Sequence, residues 1–149
     1  LPPSPPPRPA APPVSTFDMR GSSLTVNNLG GMGPNFDDEP EMRFENVGEY
    51  EGRQLDLVVT NVTTYLPRDC RARPSPCPPN GMGGNGTLGL INIRLRRRTD
   101  FRFCFVDHES GNETQMTRVD FDLYDLDNGP RPGADVAEDR NFTTVEVHP

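Results

Sequence analysis

The sequence predicts an all-β fold, a two-sheet antiparallel sandwich of the jelly-roll-like or immunoglobulin-like kind, preceded by a polyproline II arm. Apolar and polar residues alternate along short segments, turn residues recur between these segments, and no segment has the 3.6-residue period and end caps of an amphipathic helix. Proline dominates residues 1–13 and then becomes sparse. We therefore divide the chain into an arm, residues 1–13, and a β-sandwich domain, residues 14–149.

The arm has a composition that no helix or inner strand tolerates. Proline fixes φ near −65° and lacks a backbone donor, so residues 1–13 are predicted to form polyproline II. At about 3.1 Å per residue the arm would span about 40 Å. A single compact domain gains little from such a rod, whereas a protein that contacts something outside itself gains a spacer or a docking ligand.

Period-two alternation predicts the strands of the first half of the domain. The segment with Leu55, Leu57 and Val59 alternates most clearly and is predicted to be half-buried. A long loop, roughly residues 67–86, follows this segment and includes a Gly-rich stretch. The other strands predicted in this half are Ser23–Asn27 and the segment around Met42 and Phe44.

The second half of the domain continues the pattern. Leu88–Arg96 is predicted to be one strand with Ile91, Ile93 and Leu95 pointing inward. The strongest core stripe is predicted from Phe101, Phe103 and Phe105, and a turn is expected over residues 107–112. Later strands are predicted around Val119, Phe121 and Leu123, and around Phe142, Val145 and Val147.

Charge and hydropathy exclude several classes of function. The 149-residue chain has a formal net charge of −7, which argues against binding to nucleic acid because phosphates would be repelled over most of the surface. Every basic residue is arginine, so lysine chemistry is excluded. No apolar run reaches the 18 residues of a membrane span, so membrane insertion is not expected.

Asparagine and cysteine indicate an extracellular protein that carries covalent glycans. Four Asn-X-Thr acceptor sites occur where chance predicts about one. Cys70 and Cys77 bracket a Pro-rich loop, and we expect a local disulfide between them in an oxidising compartment. Cys104 is then either a buried inert thiol or the partner of one of the other two. The four acceptor asparagines are Asn61, Asn85, Asn112 and Asn141.

An acidic run from Asp120 to Asn128 is the best candidate for a metal site. Continued alternation would put Asp125 and Asp127 on the apolar face, so either the strand ends at Tyr124 or a cation lies there. Crowded oxygen ligands at a strand end suit Ca²⁺. A second acidic loop, with Asp37, Asp38 and Glu39, would complete the shell; otherwise both loops are solvated acidic surface. The candidate ligands are Asp37, Asp38, Asp125, Asp127 and Asn128.

Catalysis has little support in the sequence. The chain has two histidines, and His148 lies near the end of the sequence. Cys104 and His108 do not suit a thiol dyad, because Cys104 lies in an aromatic strand and His108 in a predicted turn. We therefore expect a protein that is not an enzyme.

The segment Ser4-Pro-Pro-Pro7 resembles the hydroxyproline-rich segments of algal and plant cell-wall glycoproteins. With an extracellular β-domain it resembles the subunits of mastigonemes and of algal extracellular-matrix fibres. The stretch Phe101–Asp127 is similar to uncharacterised secreted β-domains of algae and other protists. The resemblance implies an O-glycan on Ser4 and hydroxylation of five prolines, Pro2, Pro3, Pro5, Pro6 and Pro7.

Two functions follow from these features. In the first, the domain is the subunit of an extracellular filament, and the arm links it head-to-tail to another copy of the chain. The segment 14–19 would then add a strand to a neighbour's open sheet edge. In the second, the domain is a Ca²⁺-dependent carbohydrate-binding or adhesion module on a Pro-rich stalk. A simpler alternative is a secreted sandwich domain whose arm is only a linker.

Overall fold

The structure is a computed structural model that describes residues 17–68, 80–94, 97–116, 119 and 122. Strands make up 42% of the described residues, and the only helical segments among them are two 3-10 turns, so the predicted all-β class is confirmed. The 3-10 turns are Met19–Gly21 and Leu29–Gly31. The strands are β1 (Ser23–Asn27), β2 (Met42–Tyr50), β3 (Arg53–Asn61), β4 (Gly81–Gly83), β5 (Leu88–Leu90) and β6 (Phe101–Asp107).

The strands form two antiparallel sheets. The larger sheet has the order β1-β2-β3-β6, and β4 pairs with β5 in a two-stranded ribbon. β3 lies inside the larger sheet because it pairs with β2 between Arg53 and Val59 and with β6 between Leu55 and Asn61. Beyond β6 the chain turns back through residues 107–112, and Val106 bridges Glu113.

The hydrophobic core lies on one face of the larger sheet. Alternate residues of β2 and β3 point to this face and pair across the strands, as Phe44 does with Leu57 and Met42 with Val59. The ribbon contributes Met82, and Gly89 of β5 lies against the Phe44 ring. The buried core residues are Leu29, Met42, Phe44, Val47, Leu57, Val59 and Tyr65.

The segment just before β1 packs on its own domain. The Phe17 and Phe105 rings lie 4.5 Å apart between centroids, and Met19 also contacts the core. The backbone N–H of Asp18 donates to the carbonyl of Val47 at 2.8 Å. Phe17 and Met19 therefore cover the core of their own domain. Residues 14–16 lie outside the described residues, and the addition of segment 14–19 to a neighbour's sheet stays a prediction.

Two of the predicted strand boundaries are wrong. The Gly-rich stretch assigned to a long loop forms β4 and the turn of the ribbon, because glycine lets the chain reverse with positive φ at Gly84 and Gly86. The predicted strand Leu88–Arg96 ends at Leu90, and Ile93 is 37% exposed rather than inward. After Leu90 the chain leaves the ribbon and approaches the segment after β3, where the N–H of Arg94 bonds to Leu66.

Two burial predictions are also wrong. The stripe in β6 is only partly buried: Phe101 and Phe105 pack against the core, but Phe103 is 38% exposed. The predicted half-buried strand β3 is instead buried on both faces, since Asp56 and Val58 are buried as well as their apolar neighbours. The sequence contained one sign of this, because Val58 is apolar at a position where alternation predicts a polar residue.

A buried polar network joins the ribbon to the segment after β3. The Tyr65 hydroxyl donates to the carbonyl of Asn92 at 2.7 Å and accepts from Asn80 Nδ2 at 2.8 Å. Asn80 Oδ1 accepts from the N–H of Asn92 at 2.8 Å, and the Asn80 carbonyl accepts from Asn27 Nδ2 at 2.8 Å. Burial raises the pKa of Tyr65, so the hydroxyl stays protonated.

We expect Tyr65→Phe to lower the free energy of unfolding by about 1–3 kcal/mol, because Asn80 Nδ2 and the Asn92 carbonyl would lose a buried partner. Urea denaturation with an unchanged m-value would measure this loss. Tyr50→Phe is the matched control, since among the described residues the Tyr50 hydroxyl has no hydrogen-bond partner. Equal losses in the two variants would contradict the network.

Candidate functional site

The most distinctive surface feature is the loop of residues 28–41 between β1 and β2, which we call the Phe36 loop. Its two ends lie side by side, since the N–H of Asn28 donates to the carbonyl of Glu41 at 2.8 Å. The buried Asn28 side chain crosses the loop interior: Nδ2 donates to the Asp38 carbonyl at 2.6 Å and Oδ1 accepts from the Gly33 N–H at 2.9 Å. The loop is therefore a compact Ω-type loop held from within.

The Phe36 loop exposes apolar side chains at its tip. Phe36 is 71% exposed and Met32 is also exposed. The Phe36 ring lies over the backbone of Gly33, where a Cβ would come within 2.5 Å of Phe36 Cζ. Gly33 also has φ +74°, so glycine is required at this position both for the backbone conformation and for the close approach of the ring. A shallow depression is lined by Pro34, Asn35, Phe36, Asp37 and Asp38.

The same loop presents three consecutive acidic residues beside the exposed ring. Asp37, Asp38 and Glu39 are all exposed. Within the described part of the chain none of their carboxylates forms an ion pair or accepts a hydrogen bond. The loop therefore combines an accessible aromatic surface with uncompensated negative charge.

The predicted calcium site is only partly within the described residues. Asp37 and Asp38 lie together in the Phe36 loop, whereas Asp125, Asp127 and Asn128 lie outside the described ranges. Residues 17–68, 80–94 and 97–116, with 119 and 122, contain no group of three or more His, Cys, Asp or Glu side chains arranged to hold a metal. Convergence of the two acidic segments stays a prediction.

Three of the four predicted acceptor asparagines are described, and all three lie at the surface. Asn85 is exposed in the turn of the ribbon with φ +58°, and Asn112 is exposed after the turn that follows β6. Asn61 ends β3, is half-buried, and donates through Nδ2 to the Thr63 carbonyl at 2.9 Å. Glycosylation replaces only one of the two Nδ2 hydrogens. Asn141 lies outside the described residues.

Other predicted modification sites also lie outside the described residues. These are the arm with its hydroxylation and O-glycan candidates, and the predicted disulfide partners Cys70 and Cys77. Cys104 is described: it is a free thiol, half-buried in β6. Burial raises the pKa of Cys104, with the nearby Arg102 opposing this and Glu113 adding to it, which leaves little reactive thiolate at neutral pH.

A buried carboxylate in β3 stabilises a bulge in the neighbouring strand. Phe44 pairs with Leu57 and Gly48 with Leu55, so residues 45–47 of β2 lie opposite the single residue Asp56. Asn46 in this bulge has φ +60°, and its N–H donates to Asp56 Oδ1 at 3.0 Å. This role could not be predicted from the sequence, because a lone Asp in an alternating strand suggests an outward-facing residue.

Two basic side chains surround the Asp56 side chain, which is 4% exposed. His108 Nδ1 lies 2.9 Å from Asp56 Oδ1, and Arg43 Nη1 lies 3.5 Å from Asp56 Oδ2. The N–H of His108 donates to the Gln54 carbonyl at 2.9 Å, which fixes the turn after β6 against the start of β3. Asp56 therefore joins β3 to β2 and to the turn that follows β6.

The Asp56–His108 pair has the geometry of an acid–histidine dyad without a nucleophile. In the described ranges no hydroxyl or thiol bonds to the other ring nitrogen of His108, and the nearby Ser110 hydroxyl donates to Asp107 Oδ1 at 2.8 Å. All three recorded contacts of the Asp56 carboxylate serve the bulge and the turn. The contacts of Asp56 and His108 are suited to stabilising the fold rather than to breaking bonds in a substrate.

The hydrogen bond to Asp56, together with its negative charge, raises the pKa of His108. Because the pKa of His108 is higher in the folded chain than in the unfolded chain, its protonation stabilises the fold. This stabilisation is fully present below the unfolded-state pKa of about 6.5 and is lost as pH rises through the folded-state pKa. We therefore expect the melting temperature to fall as pH rises above about 6.5, and His108→Gln to remove most of this dependence. Because His148 is the other histidine, His148→Gln is the control and should leave the profile unchanged.

Comparisons with family models, curated proteins and solved structures find no match to this chain. None of the described segments is a helix with the length and apolar character that crossing a membrane requires.

Proposed function

We propose that the chain is a structural subunit of an extracellular, glycosylated filament, in which the Pro-rich arm of one subunit binds a neighbouring subunit. The observation that supports this most is the location of the described acceptor asparagines. Asn61, Asn85 and Asn112 lie at a strand end and in turns, at the surface. Glycans attached there would extend into solvent without disturbing the sheets.

The proposal includes a sandwich domain and a polyproline II arm. Met82 of the ribbon and Ile91 after it pack on the core face of the larger sheet, which supports the ribbon as part of a second layer. Proline content supports the arm. The proposed function includes no catalysis. This is supported by the contacts of Asp56 and His108, which hold the β2 bulge and the turn after β6.

Glycan occupancy tests the extracellular part of the proposal. The chain would be secreted from a eukaryotic host and treated with peptide N-glycosidase in heavy-oxygen water, which marks each formerly occupied asparagine by mass. We expect Asn85 and Asn112 to be marked. Asn35, which is exposed in a loop but has no acceptor sequence, is the internal control. An unglycosylated secreted chain would refute this part.

Truncation of the arm tests the filament. Because Phe17 and Met19 belong to the domain core, the deletion should remove residues 1–13 and no more. We expect negative-stain images of the purified full-length protein to show fibres, and images of the truncated chain to show single particles with an unchanged circular dichroism spectrum. Fibres of normal length from the truncated chain would refute an arm-linked filament.

A Ca²⁺-dependent carbohydrate-binding or adhesion module is the second candidate. It is favoured by the exposed carboxylates of Asp37 and Asp38, which have no ion-pair partner within the described ranges. It requires these residues and Asp125, Asp127 and Asn128 to share one ion. Calcium titration by calorimetry, followed by a glycan array with the calcium-loaded protein, tests this function. No heat of binding and no retained glycan would remove it.

A further inference from the structure

We propose that the Phe36 loop of one chain is the docking site for the Pro-rich arm, residues 1–13, of a second copy. This juxtaposes an exposed aromatic ring, flanked by carboxylates that have no partner among the described residues, with a Pro-rich segment that carries one arginine. The intermolecular part of the inference rests on the proposed function. The docking itself rests on the chemistry of the two segments.

The Phe36 loop is suited to binding because its shape is set before any partner arrives. The Asn28 side chain joins both arms of the loop, and the N–H of Asn35 donates to the Asn27 carbonyl at 3.1 Å. The N–H of Asp38 donates to the Asn35 carbonyl at 3.1 Å, which closes a turn under Phe36. A binding surface that is already ordered loses little conformational entropy when its ligand docks.

The exposed ring matches the recognition chemistry of a proline rod. Polyproline II segments dock on exposed aromatic side chains because proline rings are apolar and rigid, and the rod has little conformational entropy to lose. Phe36 presents one face to Gly33 and is 71% exposed, so most of the ring remains available. Pro34 and Met32 extend the apolar surface beside it.

Charge complementarity identifies the arm as the occupant. Arg8 is the only charged side chain in residues 1–13, and prolines flank it on both sides. The three carboxylates of Asp37, Asp38 and Glu39 follow Phe36 directly and have no ion-pair partner in the described ranges. A proline rod lying on Phe36 would bring the Arg8 guanidinium to these carboxylates, where charge-assisted hydrogen bonds form.

The reach of the arm permits contact between chains. Phe17, the first residue that the structure describes, packs on Phe105, which pairs with Leu57 near the middle of the larger sheet. Gly30 of the Phe36 loop lies beside Asn61, roughly 13 Å from Leu57 along β3, whereas thirteen residues of polyproline II would extend about 40 Å. The predicted length of the arm therefore exceeds what contact with the loop of its own domain requires, which leaves length for contact with a second copy.

A direct binding measurement tests docking independently of fibre formation. The probe is a fluorescent peptide of residues 1–13, titrated by anisotropy onto the full-length R8E chain, whose own arm is disabled by charge reversal. We expect the R8E/F36A chain to bind the peptide at least tenfold more weakly, and high salt to weaken binding to R8E. R8E/V62A is the matched control, because Val62 is 67% exposed outside the loop, and it should bind like R8E.

Charge reversal in the opposite sense tests the arginine contact. The peptide with Glu at position 8 should bind poorly to R8E but well to the D37R/D38R chain, whose own Arg8 is repelled by its reversed loop. Equal binding of both peptides to both chains would overturn the pairing of Arg8 with the loop. Peptide binding that F36A leaves unchanged would overturn the aromatic contact.

Mixing tests whether docking occurs between chains. R8E has an intact loop and F36A an intact arm, so sedimentation should show each alone as monomer and the mixture as dimer. A wild-type chain that stays monomeric and excludes the peptide would instead show docking within one chain and overturn the intermolecular assignment. If the R8E and F36A chains formed fibres as the wild-type chain does, docking would be overturned while the filament proposal would stand. If the peptide bound but the wild-type chain formed no fibres, the filament proposal would be overturned while docking would stand.

Discussion

We expect Asp56→Ala to lower the free energy of unfolding by about 2–4 kcal/mol, measured by urea denaturation at neutral pH. The substitution leaves the N–H of Asn46 unpaired in the β2 bulge and removes the carboxylate that faces Arg43 and His108. The estimate is below that for a fully buried ion pair, because Arg43 and His108 are each partly exposed and solvent screens them.

Asp56→Asn separates the hydrogen bond from the charge. The amide oxygen of the variant still accepts from the Asn46 N–H, so we expect less than half the loss seen for alanine. The dependence of stability on the ionisation of His108 should become much smaller, because Asp56 is the largest cause of the raised pKa of His108, with Glu45 and Glu109 adding less. Asp38→Ala is the matched control, since this carboxylate is exposed and has no ion-pair partner among the described residues. Equal losses for Asp56→Ala and Asp38→Ala would show that Asp56 does not hold the bulge.

We expect Phe44→Ala to lower the free energy of unfolding by about 3–5 kcal/mol. Phe44 is buried, lies opposite Leu24 on one side and Leu57 on the other, and touches the backbone of the ribbon at Gly89. Removing its ring leaves a cavity between the two sheets. A loss near 1 kcal/mol would mean that the ribbon does not pack on this residue.

A double-mutant cycle with Gly89→Ala tests the contact itself. A Cβ on Gly89 would lie 3.1 Å from Phe44 Cζ and 3.4 Å from Met19 Cε, so alanine alone should cost about 1–3 kcal/mol through overpacking. In the Phe44→Leu background the same substitution should cost less, with a coupling energy above about 0.5 kcal/mol. Gly21→Ala, whose Cβ meets nothing within 4 Å, is the control. Additive losses would contradict the close approach.

Alternation of apolar and polar residues predicted strands well where the alternation is regular. β1 was predicted at Ser23–Asn27 as observed, and Leu57 and Val59 point to the core as expected. It failed at β4, because its glycines carry no hydropathy signal, and pairing with β5 is what makes this stretch a strand. It also failed at Phe103, whose exposure depends on what covers the outer part of β6 rather than on the residue itself.

Only the acidic residues of the candidate site could be predicted from the sequence. Asp37 and Asp38 were identified as oxygen ligands because they are acidic and lie between Pro and Gly residues. The exposed ring of Phe36 was not identified, since aromatic residues are normally assigned to a core. Asn28, the residue that orders the loop, gave no signal, because its importance lies in contacts with Gly33 and Asp38 that exist only after the loop closes.

The sequence by itself determined the all-β class, the absence of lysine chemistry, the acceptor asparagines and the acidic segment at residues 37–39. These follow from residue type and short-range spacing, which act before the chain folds. Only the tertiary structure decided that Asp56 is buried against a bulge, that Phe17 covers its own core, and that Phe36 stands exposed beside carboxylates with no ion-pair partner among the described residues. The first two features depend on residues far apart in the chain, such as His108 and Phe105, and the third depends on how the Phe36 loop closes, so no local pattern contains them.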